Sequence, residues 1–169
     1  MRKSEPEKLD ERETSVCKPL LVIGAGPYGL ATAAYARRNG IEPVVLGEPM
    51  AFWRESMPTG ILLRWGAEWH LDSAKEHTLE TYLKERGINP ADVSPTPVQL
   101  FIEYAEWFLG KAGVEVLPDL VRDLVNSDGR FEAKPESGRH ISAATVAAPS
   151  IPHSRLSHRG WSTPPQEKE

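Results

Sequence analysis

One cysteine in 169 residues leaves no partner for an internal disulfide. Cys17, at the edge of the first apolar run, is expected to be a small buried hydrophobe in a reducing compartment. Long hydrophobic runs are also missing. No stretch approaches the roughly 20 apolar residues that cross a bilayer, and the charged N-terminus has no signal-peptide core. The expectation is a soluble, cytoplasmic protein with no membrane partner. Nor is there an excess of basic charge: Lys and Arg number 20 against 24 Asp and Glu, for a net charge of -4 and a pI near 5.8. That balance gives no global positive field, so no nucleic-acid partner is expected. His70 and His77 have no second ligand at metal-binding spacing and read as surface or packing histidines, so no metal site is expected.

What is present is concentrated between Leu20 and Glu48. Leu20-Leu21-Val22-Ile23 is a continuous apolar run stopped by glycine, the pattern of a strand buried on both faces of a parallel sheet. Gly24-Ala25-Gly26-Pro27-Tyr28-Gly29 follows without a gap, and a helical run of small residues then leads to Gly40. In a strand-turn-helix the three glycines divide the work. Gly24 allows the tight turn, Gly26 lets a pyrophosphate approach the backbone, and Gly29 lets the helix pack closely on the strand. The free N–H groups and dipole of the new helix favour the phosphates. Val44 to Leu46 completes a βαβ unit. A ribose-binding carboxylate is wanted about 20 residues past the glycines. Glu48 is the nearest, one residue beyond the usual acidic position, which falls on Gly47.

The first 16 residues are almost wholly polar and read as a disordered leader, and residues 151–169 read as a disordered tail. The domain between them, 17–150, continues with a segment from Pro49 to His70 that holds Trp53, Trp65 and Trp69 among prolines and glycines. It reads equally as a loop capping the core or as a wall for a flat aromatic ligand. Thr78 to Arg86 has helical spacing. Thr96-Pro97-Val98-Gln99 matches a capping box with proline in the first turn, and the helix it starts carries Phe101, Tyr104, Ala105, Phe108 and Leu109 inward and stops near Gly110. Val114 to Leu117 reads as the next parallel strand. Short extended pieces follow at Val121–Val125, Phe131–Ala133, His140–Ile141 and Thr145–Ala147, with Asp128-Gly129 and Ser137-Gly138 as turns.

The run GAGPYGLATAAYARRNGIEPVVLGEPMAFWRESMPTGILLR resembles the N-terminal FAD-binding segment of flavin-dependent monooxygenases, the class of flavin-containing and N-hydroxylating enzymes. The resemblance runs from about Leu20 to Ala148. It implies a Rossmann-like FAD/NAD(P)-binding α/β domain with a parallel sheet, flanking helices and a small antiparallel β meander. It also implies FAD as cofactor and NAD(P)H as reductant in the full-length family. Gly24, Gly26 and Gly29, with Pro27 and Tyr28 between them, correspond to the pyrophosphate cradle and Glu48 to the ribose contact. Phe52 and Trp53 correspond to an aromatic pair near the flavin, Arg64 to the strand that approaches the ring, and Val121 to a backbone contact with adenine.

Two departures stand out. Where the family ends a strand in Ala-Thr-Gly, this chain has Ala148-Pro149-Ser150, and proline removes a backbone donor. A second cradle for NADPH does not follow. The chain therefore reads as the FAD half of an oxidoreductase, with no acid, base or nucleophile to nominate and the small-molecule substrate unknown. A non-catalytic or degenerate dinucleotide-binding module and an NAD-binding domain remain as alternatives.

Overall fold

The computed structural model describes residues 15–149, so the tail and nearly all of the leader lie outside the described residues. A strand, β1 (Ser15–Ile23), leads through the glycine turn into α1 (Pro27–Arg38) and then β2 (Pro43–Leu46). A short helix, α2 (Ala51–Glu55), and a short strand, β3 (Leu62–Leu63), follow. Next come α3 (Leu79–Glu85), β4 (Thr96–Pro97), α4 (Val98–Ala112) and β5 (Glu115–Leu117). Three longer strands complete the unit: β6 (Val121–Ser127), β7 (Arg130–Pro135) and β8 (His140–Ala147). Among the described residues no helix is long and apolar enough to cross a membrane.

The six-stranded sheet has the order β5-β2-β1-β8-β7-β6. β5, β2, β1 and β8 run parallel, whereas β7 is antiparallel to both β8 and β6. This is the expected α/β sheet with its meander, but the meander is continuous with the parallel strands. The two short pieces read at His140–Ile141 and Thr145–Ala147 are one strand, because β8 pairs with β1 from Ser15↔His140 to Val22↔Ala147. Pairing on that side carries the strand through Ser142–Ala144, where no sequence pattern marks continuity. The same pairing starts β1 at Ser15, ahead of its apolar run.

Two apolar clusters cover the sheet. Val22 and Val45 pack with Leu30 and Ala33 of α1 and with Phe101, Tyr104, Ala105 and Phe108 of α4. Leu21, Val44 and Leu46 gather with Ala133, Ile141 and Ala143 of the meander. Each large side chain so buried contributes about 1.5–3 kcal/mol.

The capping box is not formed. Thr96 Oγ1 donates to the Trp65 carbonyl at 2.9 Å, and Thr96 N–H donates to the same oxygen at 3.0 Å. Its hydroxyl is therefore spent on the β3–β4 connection, and Pro97 stands at the N-cap without a side-chain bond. The helix also runs past Gly110 to end at Gly113, whose φ of 62° supplies the left-handed conformation that the C-terminus needs. Cys17 differs as well. It is exposed, with Arg130 Nη1 donating to its Sγ at 2.7 Å.

The loop between β3 and α3 is held by two buried polar groups. Tyr104 Oη of α4 accepts from Leu71 N–H and donates to the His77 carbonyl, both at 2.9 Å, while burial pushes the phenol above its usual range. Asp72, only 6% exposed, accepts from Ala74, Glu76 and His77 N–H at 3.0, 3.0 and 2.8 Å. Burial by itself would raise the Asp72 carboxyl, but those three donors outweigh it and hold the group below its ordinary value. Asp72→Ala is expected to destabilise by about 2–4 kcal/mol, since it strands three N–H groups. A depressed carboxyl contributes stability above its unfolded pKa, near about 4, and loses it as pH falls through the lower folded value. Chemical denaturation at pH 7 and pH 3 checks this: the gap between wild type and mutant should narrow at pH 3.

Candidate functional site: a glycine cradle

β1 ends at Ile23 because Gly24 turns the chain with φ of 103°. Gly24 N–H donates to the Leu46 carbonyl at 2.7 Å, so the turn is tied to the end of β2. Gly26 is the N-cap of α1, extended at φ -79° and ψ -179°, with no side-chain cap and no acidic residue in the first turn. Pro27 has no N–H to offer and suits the first helical position. The N–H groups of Tyr28 and Gly29 are thus left without intrahelical partners at the positive end of the dipole.

The two later glycines do different work. A Cβ on Gly26 would meet nothing within 4 Å, so the backbone there faces open space. A Cβ on Gly29 would lie 1.8 Å from the Gly24 carbonyl oxygen and 3.5 Å from Val22 Cγ1. The first glycine borders open space and the second packs the helix against its own turn. Gly47 is a third constraint: at φ 137°, its Cβ would come 3.0 Å from Ala25 N. A side chain at the usual acidic position would be strained, because the strand end lies against the turn, and the next carboxylate along the chain is Glu48.

Met50 N–H donates to the Ala25 carbonyl at 3.0 Å, and Met50 itself is left-handed at φ 56°. These contacts bring Glu48 and the start of α2 to the cradle. Glu48 is exposed and forms an ion pair with Arg54, Nη1 to Oε1 at 3.7 Å. Arg54 also pairs with Glu106 of α4. Neither Arg54 nor Glu106 was singled out from sequence, since the pair spans 52 positions and no local spacing marks it.

The remaining candidates are dispersed. Tyr28 and Phe52 are exposed, at 68% and 65%. Trp53 instead packs edge-on against Phe101, with centroids 5.1 Å apart, and belongs to the core margin. Trp65 and Trp69 stack at 5.0 Å and both contact Phe101 edge-on, so much of the aromatic segment caps the core. Arg64 is exposed just after β3. Val121 is half-buried at the start of β6, beside a bulge. Among the described residues no hydrogen bond or ion pair joins Arg64 or Val121 to the cradle. His77 packs edge-on against Trp107 at 5.8 Å. Among the described residues no group of three or more His, Cys, Asp or Glu could hold a metal ion.

The chain matches no protein-family model and no curated protein sequence. Solved structures do match. A flavin-containing monooxygenase from Stenotrophomonas maltophilia superposes with a TM-score of 0.63 at 22% identity, over 78% of this chain and 38% of that one. The chain has the fold of the FAD/NAD(P)-binding oxidoreductases. Bacillithiol disulfide reductase from Staphylococcus aureus is similar over 78% of this chain and 38% of its own, with a TM-score of 0.62 at 14% identity. Lysine monooxygenase NbtG from Nocardia farcinica gives 0.61 at 18% identity, over 78% and 42%. This Rossmann-like domain therefore spans less than half the length of each of these proteins.

Proposed function

We propose that the chain binds FAD and represents the FAD-binding portion of a flavin-dependent, monooxygenase-like oxidoreductase whose reductant is NAD(P)H. The observation that carries this reading is the cradle: open space over Gly26 at the start of a helix whose first N–H groups are unpaired. The residues present fit a pyrophosphate, because Gly26 admits it to the backbone and Tyr28 and Gly29 N–H groups can donate to it. Glu48 would accept from the adenosine ribose, and Val121 would offer its backbone to adenine. Phe52 and Arg64 would face the flavin half, while Trp53 would support that wall from the core. Bound flavin would supply two-electron redox chemistry. The side chains named here bind and orient, and none of them is assigned a proton transfer.

One observation favours the second reading, a dinucleotide module without turnover. The Val22↔Ala147 register sets Ala148-Pro149 beside the turn, where a proline offers no N–H. Titration of the purified chain separates the possibilities. FAD binding should change the flavin fluorescence and leave a yellow protein, whereas FMN, which lacks the adenylate half, should bind far more weakly. Equal affinity for FMN and FAD, or binding of NAD alone, would remove FAD from the reading. Bound FAD with no NADPH oxidation, followed by absorbance, would favour the module.

A further inference from the structure

We infer that Arg54 is a positioning residue that aims the Glu48 carboxylate at the 2′-hydroxyl of an adenosine ribose. The inference rests on the cradle reading above and goes beyond it by assigning the residues that orient the ribose contact. Glu48 lies on the short connection between β2 and α2, half exposed, and no hydrogen bond to its carboxylate is made among the described residues. Such a side chain would sample many rotamers and lose entropy on binding. Arg54, at the last turn of α2, narrows that freedom. Its Nη2 pairs with Glu106 Oε1, and its Nη1 reaches 3.7 Å from Glu48 Oε1. The planar guanidinium thus bridges two carboxylates.

The asymmetry of the bridge matters. Glu106 belongs to α4, which is fixed by buried Ile102, Tyr104, Ala105 and Phe108, so the close contact anchors the arginine on the rigid helix. The looser contact steers Glu48 without saturating it, and its carboxylate keeps lone pairs for a hydroxyl. The three groups together carry one net negative charge, which suits a ribose diol and repels a 2′-phosphate.

The probes are ADP and 2′-deoxy-ADP, measured by calorimetry on the whole chain. Wild type should prefer ADP by about tenfold, the worth of a hydrogen bond to a charged acceptor. Arg54→Gln should reduce that preference to about two- to threefold. Glu48→Gln should do the same, and the double variant should be no worse than either. Arg54→Lys should restore part of the preference. Melting temperatures should stay close to wild type, so a loss of discrimination is not a loss of fold. A preference that survives Arg54→Gln, or rises because the arginine had competed with the ribose, overturns the assignment while leaving the cradle intact. Failure of wild type to bind ADP at all overturns the cradle, and this inference with it.

Discussion

Gly29→Ala is expected to lower stability by about 3 kcal/mol or more, with a fall in melting temperature on the order of 10 °C. The added methyl would sit 1.8 Å from the Gly24 carbonyl oxygen and 3.0 Å from its carbon. Both are backbone atoms, so no rotamer change relieves the overlap. Either α1 must lift from β1 or the turn must open, and each disturbs Val22, Leu30 and Ala33 in the main core. A loss of that size is a large fraction of the stability of an ordinary domain. Calorimetric melting of the purified variant decides it. A melting temperature equal to wild type would mean that the helix does not rest on the turn as described.

Gly26→Val should behave in the opposite way. Its backbone is extended, at φ -79° and ψ -179°, a conformation valine adopts freely, and its Cβ would meet no atom within 4 Å. Stability should change by about 1 kcal/mol or less, mainly through a poorer N-cap residue. Dinucleotide affinity should fall by about a hundredfold or more, because the side chain fills the space over the free N–H groups where phosphates would lie. Titration of FAD against wild type and variant reads the effect. Equal affinities would take the cradle out of the proposal. Together the two substitutions test the division of roles that the sequence motif assigns to its glycines.

The βαβ unit was legible because it is local. An apolar run, three spaced glycines, small residues at helical spacing and a second apolar run each act on their neighbours, and β1, α1 and β2 contain those patterns, although β1 begins five residues earlier. The same holds for the Asp128-Gly129 turn, whose residues have φ of 52° and 79° as a tight hairpin requires. Helix α3 with its Thr78 cap, whose side chain accepts from Thr81 N–H at 3.1 Å, is equally local. The family resemblance added the Rossmann-like class with its antiparallel meander, and the solved structures bear out the fold.

Where a residue's partner is distant, the pattern misleads or is silent. Thr96 has the sequence of a cap, yet its hydroxyl is taken by the Trp65 carbonyl, which strand pairing delivers from 31 positions away. Cys17 has the composition of a core residue, yet it is exposed beside Arg130, which the strand pairing brings from 113 positions away. Gly110 and Gly113 look alike in sequence, but only the second reaches the left-handed conformation that ends α4. The crowding at Gly47, the Asp72 and Tyr104 anchors, and the Glu48–Arg54–Glu106 bridge depend wholly on packing. The sequence by itself determined the strand-turn-helix and its open glycine, since backbone conformation is set by near neighbours. Only the tertiary structure decided which side chains surround that cradle, because those contacts join segments whose separation along the chain carries no periodic signal.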